Sequence, residues 1–296
     1  MSQYQRLLLI ADPTMRHTAA LQRAAALALA SGAALHIAAF IEPLARYDSN
    51  FQELPPESQI NEHRQWLQEQ ATLLNSRGIK VTTEAIFSND PLTEILLHVT
   101  QMQPDLLIKD VQPEPALKRV FITPLDWHLL RECSVPLHLV STAEQALPRK
   151  VVAAVDLSNP ETQISGINEQ IIRAANGLAL QCAAELHLLH VYDLSPIIPW
   201  DDVWPADFAE ELRNSLLTAF TVLADRYGVP PERRHFVRGS PLKAIASFAV
   251  QNQTDVLVMG TLHRHGLSTL IGSTAEYILY QAPCNILAVK PLGAAG

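Results

Sequence analysis

The sequence has little glycine, few aromatic residues and no long run of one kind of side chain. It contains 11 glycines and 6% aromatic residues in 296 positions. The formal net charge is −8, and no run of lysine or arginine builds the positive patch that nucleic-acid binding needs. No stretch of about 20 apolar residues occurs that could span a bilayer. We therefore expect neither nucleic acid nor a membrane as a partner.

The cysteines are also few and widely separated. Cys133, Cys182 and Cys284 lie in apolar stretches without the paired spacing of a zinc site or a redox motif. We expect these thiols to be buried and reduced. The N-terminus leads directly into an apolar run at residues 7–10, with no signal region before it. The expected location is therefore the cytoplasm.

What the sequence does contain is an internal repeat. Residues 90–92 (DPL) and 105–108 (DLLI) recur as residues 240–242 (SPL) and 255–258 (DVLV), at a constant offset of 150. At an offset of 151, a further match joins residues 33–37 and 184–188. The pattern indicates one domain written twice, which suits a chain long enough for two domains of roughly 150 residues.

The polar segment 142–149 separates the two copies. We place the boundary within it, which gives one domain at residues 1–146 and another at residues 147–296.

Each half alternates short aliphatic runs with longer stretches of helical periodicity, the pattern of a parallel sheet with helices on both faces. This predicts an α/β fold of two tandem Rossmann-like domains, each with five parallel strands. The alanine-rich segment 16–31 predicts a helix that ends at Gly32. The predicted strands are 7–11, 35–41, 81–87, 106–109 and 137–140 in the first half, and 151–155, 186–192, 234–237, 256–259 and 286–289 in the second.

The position of glycine separates the two halves functionally. Ligands of an open parallel sheet bind beyond the carboxyl ends of the strands, and phosphate there needs close backbone N–H groups and a helix N-terminus. The first half holds only Gly32 and Gly78, which serve as helix or turn terminators. Its segment 110–119 carries two prolines and two acidic residues. We therefore expect no phosphate loop in the first half.

The second half retains the elements of such a loop. After the strand predicted at 256–259 come Gly260 and Gly266, and then Gly272-Ser273 at a predicted helix start. Asp156 follows the first strand of this half, where its carboxylate can accept hydrogen bonds from ribose hydroxyls. These residues together suit a nucleotide.

Gly272-Ser273 at a predicted helix start indicates either a helix cap or a bound anion, and the other residues also have explanations without a ligand. Asp156 can simply hold a turn, since Asp12 stands at the same place in the first half. Gly260 and Gly266 can be turn residues. Arg264 can contact a phosphate through its fork-shaped guanidinium, or it can belong to a solvated loop.

Metal and catalytic motifs are absent from the sequence pattern. His263 and His265 lack further spaced ligands, so no metal site is expected from them. His36 and His187 recur on equivalent strands of the two halves, which marks them as fold positions. No nucleophile, base and orienting group can be assembled, and Ser273 has no partner base. The protein is therefore not expected to be an enzyme.

These motifs resemble the universal stress protein family. Domains of that family end with a glycine-rich phosphate loop, a helix, and a last strand preceded by a phrase like Ala-Pro-Cys. The matching residues here are Gly260, Gly272-Ser273, Ala282-Pro283-Cys284 and 286–289. Residues 121–133 resemble the first domain of the tandem, E-type members. The resemblance implies an adenine nucleotide alpha-hydrolase-like fold for both halves.

The resemblance also implies roles for individual residues. Asp156 would contact the ribose, and Val191 would lie near the adenine. Gly260, Gly272 and Ser273 would lie around the ribose and phosphates. Arg264 and Gly266, in the loop between them, are further candidate binding residues. His263 stands where the family has its second glycine, and the loop is one residue shorter than the family pattern.

The expected function is that of a cytoplasmic, non-enzymatic stress-response protein. Its second domain would sense ATP or another adenine nucleotide, with no metal beyond the Mg²⁺ that accompanies the nucleotide. The first domain would be degenerate and would pair with the second as an intramolecular pseudo-dimer through the two last strands. A homodimer of chains is left open, and the sequence identifies no protein partner.

Two alternatives remain from the sequence. One is a ligand-free protein-interaction module, which His263 and the shortened loop favour. The other is a slow ATPase, which would need a metal-bound triphosphate and a positioned water.

Overall fold

The computed structural model describes residues 4–42, 57–114, 119–121, 124–141, 144–159, 162, 164–193, 206–261 and 284–291. The chain folds into two compact units: one comprises Met1–Pro113 and Phe121–Leu147, and the other comprises Glu114–Val120 and Pro148–Ala295. We call them the first unit and the second unit, and each contains five parallel strands.

The first unit alternates strands and helices from its first residues. In chain order the elements up to Val140 are β1 (Arg6–Ile10), α1 (Ala19–Ser31), β2 (Ala34–Ile41), α2 (Glu57–Ser76), β3 (Val81–Phe87), α3 (Pro91–Met102), β4 (Leu106–Asp110), β5 (Gln112–Glu114), β6 (Arg119–Phe121), α4 (Pro124–Glu132) and β7 (Leu137–Val140). The parallel strands lie in the order β7-β4-β1-β2-β3. β5 and β6 pair with each other as a separate two-stranded sheet.

The second unit repeats this arrangement. In chain order its elements are β8 (Lys150–Val155), α5 (Ile167–Cys182), β9 (Glu185–Tyr192), α6 (Ala206–Arg226), a 3-10 turn (Pro231–Arg233), β10 (Arg234–Arg238), α7 (Pro241–Gln251), β11 (Val256–Gly260) and β12 (Asn285–Val289). The strands lie in the order β10-β9-β8-β11-β12, and their neighbours pair in parallel. The order matches that of the first unit strand for strand.

The core of each unit lies on both faces of its central strands. Leu7, Leu8 and Leu9 of β1 are at most 1% exposed, although successive side chains of a strand point to opposite faces. Val151 and Val152 of β8 are fully buried in the same way. Burial on both faces is what a parallel sheet covered by helices requires. The predicted α/β fold with five parallel strands in each half is confirmed.

Helix α1 shows how local sequence sets an element's ends. The side chain of Thr18 accepts a hydrogen bond from the Leu21 N–H, so the helix begins at Ala19, three residues later than predicted. At its other end Gly32 adopts a left-handed conformation with φ 72°, and its N–H donates to the Ala28 carbonyl. The predicted end of the helix at Gly32 is confirmed. Glycine adopts this left-handed conformation readily, which explains why the helix ends there.

The three thiols differ in burial. Cys133 and Cys284 are buried as expected, and burial raises the pKa of Cys284 to about 12. Cys182 is only half-buried, because it lies in the last turn of α5. Among the described residues no helix is both long and apolar enough to cross a membrane.

Candidate functional site

The candidate site lies at the carboxyl ends of β8, β9 and β11. β8 stands between β9 and β11, so the chain leaves β8 toward one side of the sheet and later returns on the other. Ligands of open α/β sheets bind in the crevice that forms at such a reversal of strand order. Asp156 follows β8, Val191 lies next to the end of β9, and Gly260 ends β11. The structure therefore brings these three predicted residues to neighbouring strand ends.

Four further predicted residues lie outside the described residues. They are Arg264, Gly266, Gly272 and Ser273.

The backbone around Asp156 is fixed by a buried asparagine. Asn168, in the first turn of α5 and 4% exposed, accepts the Asp156 N–H at 3.0 Å and donates to the Asp156 carbonyl at 2.7 Å. The Asp156 side chain is exposed, and its Oδ1 accepts the Ser158 N–H at 2.9 Å. An exposed carboxylate on a fixed backbone is suited to accepting hydrogen bonds from hydroxyl groups.

The same turn occurs in the first unit. Oδ1 of Asp12 accepts the N–H and the hydroxyl of Thr14 at 2.7 and 2.6 Å. Asp12 and Asp156 therefore both close a turn onto the residue two positions later. The turn explains each aspartate without a ligand, so the role of Asp156 at a ribose stays a prediction.

Gly260 permits a close approach of α5 to the end of β11. A Cβ atom at this position would lie 2.6 Å from Cγ1 of Ile167 and 3.4 Å from Cδ1 of Ile171. The backbone of Gly260 does not have a positive φ, so space, and not conformation, excludes a side chain. Packing of the first turn of α5 thus requires this glycine, whether or not a ligand approaches it.

Val191 contributes a buried side chain, and the residues on either side of it on β9, His190 and Tyr192, have aromatic rings. Val191 is 7% exposed. The ring of Tyr192 stacks on that of Phe236 with centroids 4.5 Å apart. His190 is fully buried, with Nδ1 3.1 Å from the Val155 carbonyl, and burial lowers its pKa. This imidazole is neutral at pH 7 and anchors β9 to the end of β8.

Sequence reasoning missed His190 and Asn168. Comparison of the two repeats could have indicated His190, because this histidine replaces an alanine, Ala39, at the equivalent position of the first unit. Asn168 carries no such signal, because its role depends on how the first turn of α5 meets the loop after β8.

The first unit has charged groups at the equivalent strand end. Lys109 and Asp110 end β4, where β11 ends in Met259 and Gly260. The Asp110 carboxylate accepts the N–H of Ala20 at 3.3 Å, at the N-terminus of α1. Burial raises the pKa of Asp110 to about 6; the Ala20 hydrogen bond and Lys109 oppose this shift, and the Asp12 carboxylate adds to it.

Lys109 is itself held by a second acid. Its ammonium lies 2.7 Å from Oδ1 of Asp126, a residue of α4 that is fully buried. Two acidic residues, Asp12 and Asp110, thus stand at the neighbouring ends of β1 and β4. The nearby Lys109 forms an ion pair with a third acid, Asp126. This arrangement places acidic groups at the strand ends where the sequence predicts no phosphate loop.

Comparison with known proteins agrees with the repeat. The sequence profile of the universal stress protein family matches residues 3–141 and 148–290. Universal stress protein E of Escherichia coli (strain K12) is 29% identical over 306 residues, which cover 98% of this chain and 95% of that protein. Universal stress protein E of Photorhabdus laumondii is 30% identical over 309 residues, covering 99% and 97%.

Solved structures show the same fold over the whole chain. A universal stress protein of Pseudomonas aeruginosa UCBPP-PA14 superposes with a TM-score of 0.76 at 25% identity, covering 97% of this chain and 94% of that one. One from Archaeoglobus fulgidus DSM 4304 gives 0.68 at 16% identity, covering 98% of both chains. With two matched domains and relatives that span its full length, the chain belongs to the universal stress protein family.

Proposed function

We propose that this protein is a non-enzymatic stress-response protein whose second unit binds an adenine nucleotide at the ends of β8 and β11. Membership of the universal stress protein family supports a role in the stress response. The observation that carries the nucleotide proposal is the contrast between equivalent strand ends, Gly260 in the second unit and Asp110 in the first. The location that we propose is the cytoplasm.

The contrast acts through charge and through access to a helix N-terminus. In the first unit the Asp110 carboxylate already accepts the Ala20 N–H at the start of α1, so an acidic side chain takes the place of an external anion. In the second unit Gly260 has no side chain that could do so. A nucleotide phosphate would therefore meet two strand-end carboxylates in the first unit, Asp12 and Asp110, and only Asp156 in the second.

The second unit also supplies a suitable partner for the ribose. The Asp156 carboxylate is exposed, and Asn168 holds its backbone in place. Gly272 and Ser273 would offer backbone N–H groups to the phosphates, as the resemblance to the family implies. Mg²⁺ would arrive with the nucleotide. No nucleophile and base pair is assigned, so we infer binding without catalysis.

A ligand-free protein-interaction module is the second candidate function. The observation that favours it is the turn shared by Asp12 and Asp156, which gives both aspartates a structural role. His263 in place of the family's second glycine points the same way. The two functions differ in whether any nucleotide binds.

Titration calorimetry with ATP, ADP and AMP tests the proposal. We expect one site per chain, weakened at least several-fold by Asp156→Ala because the ribose acceptor is lost. Asp12→Ala is the matched control, since it breaks the same turn in the first unit and should leave the affinity unchanged. Gly272→Val should weaken binding by crowding the phosphate loop.

The outcomes separate the candidates. Two sites per chain, or equal affinities of the Asp156→Ala and Asp12→Ala variants, would contradict the proposed site. Absence of binding to the wild-type protein would favour the interaction module. Mass spectrometry of small molecules released from the purified protein gives an independent readout.

A further inference from the structure

Three potential metal ligands meet in the first unit, away from the strand ends discussed above. His36 lies on β2, Glu84 on β3 and His98 on α3. His36 pairs with Thr82 and Ala38 pairs with Glu84 in the parallel register, so His36 and Glu84 lie diagonally on one face of the sheet. Helix α3 carries His98 against both of them.

The ligand atoms of these residues converge. Nε2 of His98 lies 3.1 Å from Oε2 of Glu84, and Nε2 of His36 lies 4.0 Å from the same oxygen. One ligand atom from each residue falls within 4.8 Å of the other two. Among the residues that the structure describes, it is the one cluster of three such groups.

The imidazole of His36 is oriented so that one nitrogen faces this cluster. Its Nδ1 lies 2.8 Å from the Thr82 hydroxyl, while its Nε2 is buried and has no hydrogen-bond partner among the described residues. A hydrogen bond to one ring nitrogen fixes the ring and directs the other nitrogen toward a metal in many metalloproteins. Thr82 is placed to act as this positioning residue.

The surroundings of the cluster leave its two histidines largely buried and its carboxylate accessible. Burial and then the neighbouring His98 lower the pKa of His36, and Glu84 only partly opposes them. When Nδ1 donates its proton to the Thr82 hydroxyl, Nε2 of the neutral imidazole presents its lone pair to the cluster. Both histidine side chains are 13% exposed whereas that of Glu84 is 53% exposed, so an ion has a route in from the Glu84 side.

The second unit provides an internal comparison, because its equivalent positions hold different residues. His187, His235 and Phe248 stand where the first unit has His36, Glu84 and His98. Nδ1 of His187 lies 3.0 Å from Nε2 of His235, and Phe248 packs against His235 with ring centroids 4.6 Å apart. The carboxylate is replaced by a histidine and the third ligand by a phenyl ring.

The geometry points to a binding site for one Zn²⁺ ion per chain, formed by His36, Glu84 and His98 of the first unit. Two imidazoles and one carboxylate are a ligand set that Zn²⁺ uses in three-ligand sites, with water completing the tetrahedron. Bonds of about 2.0–2.1 Å require ligand atoms about 3.3 Å apart. Glu84 Oε2 already lies 3.1 and 4.0 Å from the two histidine nitrogens, and these nitrogens, within 4.8 Å of each other, would have to approach by at most about 1.5 Å.

Zinc titration of the full chain, prepared without an added histidine tag and stripped with a chelator, tests the site. We expect one equivalent of Zn²⁺ to bind and to raise the melting temperature. His98→Phe, which copies the second unit, and Glu84→Gln should each weaken binding about tenfold or more. Mg²⁺ at the same concentration should not compete, because it prefers oxygen ligands.

Matched controls keep the result interpretable. His235→Gln alters the equivalent cluster of the second unit and should leave zinc binding unchanged. Circular dichroism of each variant without metal checks that the fold is retained, and the loss of zinc-induced stabilisation in a folded His98→Phe variant would support the site. Unchanged zinc affinity in folded His98→Phe and Glu84→Gln variants, or no binding to the wild-type chain, would overturn it.

Discussion

At the scale of single residues, Asp110 makes the first unit sensitive to pH. Burial raises its pKa from 3.8 to about 6, so the native state holds this proton more tightly than the unfolded chain does. Its contribution to stability is therefore present below about pH 4 and is lost as the pH rises through about 6. Above that range the ionised, partly buried carboxylate destabilises the fold.

Replacing this carboxyl by an amide should reverse the effect. Asp110→Asn keeps an oxygen that accepts the Ala20 N–H and removes the charge. After allowance for solvent screening we expect a gain of about 1–2 kcal/mol at pH 7.5 that disappears near pH 4. Urea unfolding at both pH values measures it. A gain of equal size at both, or a loss at pH 7.5, would contradict this account.

Replacing Lys109 should lower the free energy of unfolding. Its ammonium lies 2.7 Å from the fully buried Asp126, so Lys109→Met would leave a buried carboxylate without this cation. We expect a loss of about 3–5 kcal/mol in the free energy of unfolding. The control Lys80→Met, at an exposed lysine of the same unit, should change it by less than about 0.5 kcal/mol. Similar effects of the two substitutions would argue against a structural role for the ion pair.

At the scale of elements, the contact between β11 and α5 gives a prediction that involves two residues. Gly260→Ala would place a Cβ 2.6 Å from Ile167 and should destabilise the second unit by about 1–3 kcal/mol. Ile167→Ala alone should cost about 2–5 kcal/mol, since Ile167 is 1% exposed. In the double variant the removed isoleucine atoms make room for the new methyl group. Denaturant unfolding should then show a cost well below the sum of the single costs, and strict additivity would refute the proposed contact.

The elements were predictable because their signals are local. Aliphatic runs mark the buried strands, and Gly32 marks the end of α1, whereas the predicted start lies three residues too early because the prediction overlooks the cap at Thr18. Asp156 and Gly260 could be assigned to the site because they follow directly from where two strands end. The cluster of His36, Glu84 and His98 could not, since its members come from three elements that meet only when α3 packs on the sheet.

The equivalent histidines of the two copies, His36 and His187, have different surroundings. Equivalence of His36 and His187 indicated a shared role in the fold, which is true of their position on the strand. Their partners differ, with Glu84 and His98 in one unit and His235 in the other. Equivalent histidines on similar strands therefore have different neighbours. Comparing the two histidines alone does not show this difference.

At the scale of the whole molecule, the arrangement of the two units as an intramolecular pair stays a prediction. β7 and β12 each end the strand order of their own unit, and all their residues are buried. Apolar terminal strands need covering, so separately expressed units should self-associate or precipitate. Co-expressed units should co-elute as a stoichiometric pair in size-exclusion chromatography. Two soluble monomeric units that do not associate would contradict the prediction.

The carboxylate of Asp110 at the start of α1 has a consequence for the protein in the cell. In the first unit this carboxylate already occupies the helix start, so no external anion is needed there. Under the proposed function, the second unit gains stability with each increase in free nucleotide, by linkage of binding to folding. When free nucleotide is withdrawn, the second unit should then lose this stabilisation and become more susceptible to proteolysis.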